Sequence, residues 1–239
     1  NRKKLLDFAS KFLRKNLQDQ STVIISTSGR YEFHNKGIDL ILDAFAELKK
    51  NQNELESKNI VLFLFVITGA VDMSKEKHTL DIKNDNLTQY SIISTHPLWD
   101  PNNDPIVNYC KKYSLQNIPE DKINVIFVPV YLNGRDGVFN IEYYEALTGC
   151  DMTVYPSYYE PWGYTPLESI AYSIPTVSTD LAGFGGWVIN SKIRCNGIKI
   201  LNRKNIPYQD SVKEMKEYIL SFIHFSQDER NKIRSCVRE

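Results

Sequence analysis

The chain is poor in the residues that announce metal or disulfide chemistry. Its four cysteines, at 110, 150, 195 and 236, form no Cys-x-x-Cys pair, and its four histidines do not cluster. That spacing excludes a zinc finger and argues against a disulfide framework; four buried, reduced thiols are expected. Net charge is absent as well. Twenty-nine basic side chains balance 29 acidic ones over 239 residues, so nothing points to nucleic acid or to an anionic membrane as a partner. No apolar run is long enough to cross a bilayer, the longest being 60–67, and no signal peptide is visible, so a cytoplasmic protein is expected. No repeat, low-complexity tract or obvious linker interrupts the chain, and no Asp-x-Asp pair stands ready for a divalent cation. What is present is an ordinary globular composition, 42% hydrophobic and 12% aromatic.

Apolar periodicity lays strands and helices in alternation. Helices are predicted over 4–15, from the Asn35 cap through Leu48, over 106–113, 141–147, from Thr165 to about Tyr172, over 212–225 and over 228–238. Strands are predicted at 22–26, 60–67, 123–127, 152–155, 175–178 and 197–201. The uniformly apolar run at 60–67 suits a strand covered on both faces. Residues 70–95 read as a long surface excursion, with His78 and His96 as surface histidines without a chemical role. The glycine-rich stretch 180–187 reads as a loop, since it lacks a strong helix start. The pattern predicts an α/β fold, doubly wound, with a mostly parallel sheet and helices on both faces.

Two stretches carry chemistry. The first runs from Ser26 to Gly37 and holds Arg30 and Lys36 ahead of a helix. Two cations at a helix N-terminus are unfavourable by roughly 0.3–1 kcal/mol each, a sign that a multiply charged anion would reverse. The second is Tyr155-Pro-Ser-Tyr-Tyr-Glu160-Pro-Trp-Gly-Tyr-Thr165-Pro-Leu-Glu168. Thr165 suits an N-cap, Pro166 the first helical position, and Glu168 the third position of a capping box. A capping role accounts for Glu168 but not for Glu160. Glu160 lies in a turn leaving a strand, where an open α/β sheet binds its ligands and where a helix N-terminus favours phosphate.

The run from Pro156 to Glu168, with seven residues between its two glutamates, resembles the signature of eukaryotic glycogen synthases. These are retaining glycosyltransferases built from two Rossmann-like domains. Gly29-Arg-Tyr-Glu-Phe-His-Asn-Lys36-Gly37 is similar to a second motif of that family. The resemblance covers nearly the whole chain and implies that 1–239 is the C-terminal, UDP-sugar-binding domain. The N-terminal acceptor domain, with its catalytic histidine, would lie outside these residues. It implies transfer of glucose from UDP-glucose to the non-reducing end of an α-1,4-glucan with retention of configuration. Arg30 and Lys36 would grip the diphosphate, Glu160 would hold the glucose and favour positive charge at its ring, and Glu168 would bind the ribose hydroxyls. Gly29, Tyr143, Trp162, Gly163, Tyr164 and Thr165 would complete the substrate contacts. Tyr143 stands at the offset where the family stacks a tyrosine on uracil, although Tyr144 here occupies a place usually held by an acid.

The cations after the first strand and the carboxylates after the fourth are expected to meet in one groove. No cofactor or metal is expected beside the donor. Glycogen, glycogenin and a second copy of the chain are the candidate partners. On the last helix, Arg230, Lys232, Arg234 and Arg238 are interleaved with acids where family members carry a dense arginine cluster, which implies an altered response to glucose 6-phosphate. Another retaining transferase, or a nucleotide-sugar-binding module without activity, would share these motifs.

Overall fold

A computed structural model of the chain describes residues 1–74 and 93–238, so His78 lies outside the described residues. In chain order the elements are α1 (Arg2–Leu13), β1 (Thr22–Arg30), α2 (Ile38–Lys50), β2 (Asn59–Ile67), α3 (Pro105–Lys112), β3 (Ile123–Val128), α4 (Tyr143–Gly149), β4 (Met152–Val154), α5 (Tyr164–Ala171), β5 (Thr176–Thr179), α6 (Gly183–Asn190), β6 (Ile198–Leu201), α7 (Tyr208–His224) and α8 (Gln227–Arg238). Every pairing between these strands given below is parallel, as the alternation of strands and helices requires. The chain divides into two compact units, one of residues 1–31 and 57–150, the other of 32–56 and 151–239.

In the first unit the strands lie in the order β3, β2, β1, with Thr22 opposite Asn59 and Ile60 opposite Ile123. Strand β1 runs four residues beyond the predicted end at Ser26, carrying Gly29 and Arg30 into the ladder opposite Val66 and Ile67. Helix α1 lays Leu5, Leu6, Phe8 and Ala9 into a core with Phe63, Ile126 and Phe139. Phe8 meets Phe139 edge-on, with ring centroids 4.8 Å apart. Helix α3 is capped by Asp104, whose carboxylate accepts the Val107 N–H at 2.9 Å.

His96, expected at the surface, is buried in this unit. Its ring lies 3.3 Å from the Asp136 carboxylate, which also accepts the backbone N–H groups of Val138, Phe139 and Asn140 at 3.0, 2.6 and 2.7 Å. Burial pulls the Asp136 carboxyl upward, but the His96 ring and those three donors outweigh it and hold the group below the usual carboxylate range. A separation of 40 positions left no pattern from which this pairing could be read.

The second unit orders its strands β4, β5, β6, with Thr153 opposite Thr176 and Val177 opposite Lys199. Helix α7 packs on α2 and on β6. The glycine-rich stretch expected as a loop forms α6 instead. Glycine is a poor helix former, yet a Cβ on Gly183 would strike the Pro161 carbonyl and one on Gly185 the Thr179 carbonyl. Close packing therefore overrides propensity here. The thiol expectation holds for Cys110 and Cys150, which are buried and free. It fails for Cys195 and Cys236, which form a disulfide with Cα atoms 5.8 Å apart. Ile233 and Val237 of α8 pack on Gly197, and that contact folds Cys236 back beside Cys195. A separation of 41 residues gave no hint of it.

Candidate active site

In the second unit, β4 ends with the Tyr155 N–H still bonded to the Val177 carbonyl at 2.8 Å. Pro156 has no N–H to extend the ladder, and the Ser157 N–H turns back to the Tyr155 carbonyl at 2.9 Å. The chain therefore leaves the sheet here, and the following turn is tied down on two sides. On one side the Tyr158 N–H donates to the Asn35 carbonyl at 2.8 Å. On the other, the Glu160 carbonyl accepts the Gly183 N–H at 2.9 Å and the Trp162 carbonyl accepts the Phe184 N–H at 2.6 Å. A signature rich in proline and aromatics thus becomes a fixed loop.

The loop ahead of α2 is tied down in the same way. The Lys36 N–H donates to the Glu32 carbonyl at 2.8 Å and the Gly37 N–H to the His34 carbonyl at 2.9 Å. Gly37, at φ 67°, is the N-cap of α2. Asn35, the predicted cap, instead donates its side-chain amide to Glu32 at 2.6 Å. Only glycine fits at 37, because the backbone is left-handed and a Cβ would run into the Pro156 carbonyl. These contacts bring the two motifs together. The Lys36 ammonium donates to the Glu160 carboxylate, and the two side chains are only 19% and 23% exposed.

Helix α5 begins one residue before the predicted cap. Gly163, at φ 105°, is the N-cap and supplies no side-chain bond, so neither Thr165 nor Glu168 forms a capping box. The Thr165 carbonyl accepts the Ser169 hydroxyl at 3.0 Å. The first turn of α5 carries no acid and its N–H groups have no side-chain cap, which keeps that helix end receptive to an oxyanion or a hydroxyl. Tyr164 is exposed, and the Trp162 ring lies 6.2 Å from that of Trp187. The other predicted residues belong to the first unit. There Arg30 ends β1, and Tyr143 opens α4 with its hydroxyl 3.2 Å from that of Ser28, the neighbour of Gly29. Among the described residues no three His, Cys, Asp or Glu side chains gather as a metal site, and no helix is long and apolar enough to cross a membrane.

One residue beside this site was missed. Arg203, just past the end of β6, is buried, donates to the Pro156 carbonyl and lies over the Tyr158 ring at 3.5 Å. Its backbone N–H is held by the Asp180 carboxylate at 2.9 Å. A lone arginine in a polar loop has no signal in the sequence that separates it from a solvated one.

Comparison with known proteins agrees with the motifs. A family model described as glycogen synthase matches residues 71–238. The glycogen [starch] synthase of Neurospora crassa is 25% identical over 287 residues, covering 96% of this chain and 41% of that protein. Its counterpart in Caenorhabditis elegans is 30% identical over 268 residues, covering 90% and 40%. The chain thus spans about two fifths of the length of these relatives. Among solved structures, WaaG, a glycosyltransferase involved in lipopolysaccharide biosynthesis, aligns with a TM-score of 0.51 at 13% identity, over 97% of this chain and 46% of that one. At such identity the likeness is one of fold alone.

Proposed function

The chain belongs to the glycogen synthase family, and on that premise we propose that it is the donor-binding part of an enzyme that moves glucose from UDP-glucose to the non-reducing end of an α-1,4-glucan, with retention at the anomeric carbon. The observation that carries this reading is the contact of Lys36 with Glu160. It joins the cation of one motif to the carboxylate of the other.

The costly step is departure of the diphosphate as the sugar becomes oxocarbenium-like. The C1–O bond to the phosphate breaks, negative charge grows on the leaving oxygen, and positive charge grows on the ring. Lys36 is placed to meet the first charge and Glu160 the second, so one ion pair serves both ends of the breaking bond. The uncapped N–H groups at Tyr164 and Thr165 would add donors to the diphosphate. By resemblance of motif alone, Arg30 is assigned to the diphosphate, Tyr143 to the base and Glu168 to the ribose hydroxyls. No metal has a part in this scheme, because cations and a helix end neutralise the leaving group. Retention then follows when an acceptor hydroxyl forms its C1–O bond on the face that the diphosphate leaves, its proton passing to the departing phosphate oxygen.

On α8, Arg230 donates to the Ile223 carbonyl at 2.9 Å, and Arg234 reaches to 4.0 Å from Asp151. Cations engaged in this way support a weakened response to glucose 6-phosphate. The test of the main reading is incorporation of labelled glucose from UDP-glucose into glycogen by the full-length protein, alongside UDP affinity in an Arg30→Ala variant. Incorporation with strongly weakened UDP binding in the variant is expected. No incorporation, or unchanged affinity, contradicts the reading.

A further inference from the structure

Arg203 is 7% exposed and permanently charged, yet among the described residues no carboxylate pairs with its guanidinium, and its Nη2 has no hydrogen-bond partner. A buried cation without a counter-ion is costly, and a neutral donor could satisfy one carbonyl at less expense. What the guanidinium does that a neutral donor cannot is lock two features at once. Its edge donates to the Pro156 carbonyl while its face covers the Tyr158 ring at 3.5 Å. That carbonyl is the one on which Gly37 rests without room for a Cβ, and the Tyr158 N–H is bonded to the Asn35 carbonyl. Lys36 lies between Asn35 and Gly37, and Glu160 follows Tyr158 by two residues.

Resting on the reading of the Lys36–Glu160 pair given above, we propose that Arg203 is a positioning residue. It fixes the 156–160 turn against the 35–37 loop and so sets where the Glu160 carboxylate stands relative to Lys36 and the donor sugar. Its own backbone is anchored by Asp180 at 2.9 Å, so it reaches the turn from a fixed point at the end of β6.

The experiment is a double-mutant cycle in the full-length protein. Initial rates of glucose transfer from UDP-glucose to glycogen are measured for Arg203→Lys, Glu160→Gln and the double variant, with thermal melting as a control. Arg203→Lys keeps the charge but loses the planar fork. It should melt within a few degrees of wild type, leave KM for the donor within about threefold, and lower kcat about a hundredfold, as a small misplacement of a reacting group does. In the Glu160→Gln background the same change should cost less than about threefold, since the carboxylate it positions is already gone. Should Arg203→Lys fail to fold, Tyr158→Ala removes the covered ring and should give a smaller kcat loss with the same dependence on Glu160. Equal losses in both backgrounds, or no loss at all, would sink the positioning role and leave the reading of the site standing. Full activity in Glu160→Gln alone would sink that reading, and Arg203's role with it.

Discussion

The two units of this chain use their buried positions differently. In the first, β1 and β2 are 9 residues long and β3 is 6; β2 buries an unbroken apolar run from Ile60 to Val66, while β1 also buries Thr22, Ser26 and Thr27 and β3 buries Asn124. In the second, β4 has 3 residues and β5 and β6 have 4 each. A network of buried hydroxyls runs beside the apolar side chains there. Thr153 donates to Ser169 at 2.9 Å and accepts from Thr176 at 3.0 Å, and Thr179 donates to the Ser157 carbonyl at 2.8 Å. The second unit also holds Ser178 Oγ and Arg203 Nη2, buried without hydrogen-bond partners, against Thr22 Oγ1 in the first among the described residues. Long strands such as β2 are what stability requires; short strands that hand the chain to a fixed loop, with Arg203 buried and no carboxylate paired to it among the described residues, are what a site leaves behind.

Substitutions can break this contrast, and the largest effect should come from the second unit. Lys36→Met should lower glucose transfer by the full-length protein about a thousandfold, since it removes the charge proposed to face the leaving group, while shifting the melting temperature by only a few degrees. A thermal collapse of matching size would show that the pair is structural after all.

The converse is expected in the first unit. Asp136→Ala strips the acceptor from three backbone N–H groups, that of Phe139 buried, and should cost about 3 kcal/mol in urea unfolding, with kcat of the folded protein within about twofold of wild type. The loss should depend on pH with a definite sign. The Asp136 carboxyl is held low in the folded state, so its contribution is complete above the ordinary aspartate range near about pH 4 and fades as pH falls below it. A wild-type advantage that grows on acidification would contradict the assignment. The smallest effect should come from Cys236→Ser. Opening the 41-residue loop between Cys195 and Cys236 should lower stability by about 2 kcal/mol without changing UDP affinity.

How much of this was legible in the sequence follows the same divide. The apolar runs at 60–67 and 123–127 gave β2 and β3 almost to the residue, because burial on both faces leaves a mark in composition. The signature around Glu160 and the Arg30–Lys36 motif were readable as residues. Their meeting was legible as an expectation, and the structure describes it for Lys36 and Glu160. What could not be read depends on tertiary approach. Gly163 displaced Thr165 as the cap of α5 because a left-handed residue was needed to enter the helix. Helix α6 was hidden by glycines that exist to admit neighbouring carbonyls. His96 with Asp136, Cys195 with Cys236 and Arg203 with Pro156 are contacts distant in sequence, and none has a spacing rule.

The central claim is that Lys36 stands at Glu160 in order to meet the diphosphate of a nucleotide sugar. Titration calorimetry of UDP into the full-length protein tests it most directly, comparing wild type with Lys36→Met. Loss of one charge-assisted contact predicts about ten- to hundredfold weaker binding. Equal affinity in the two proteins would contradict the account.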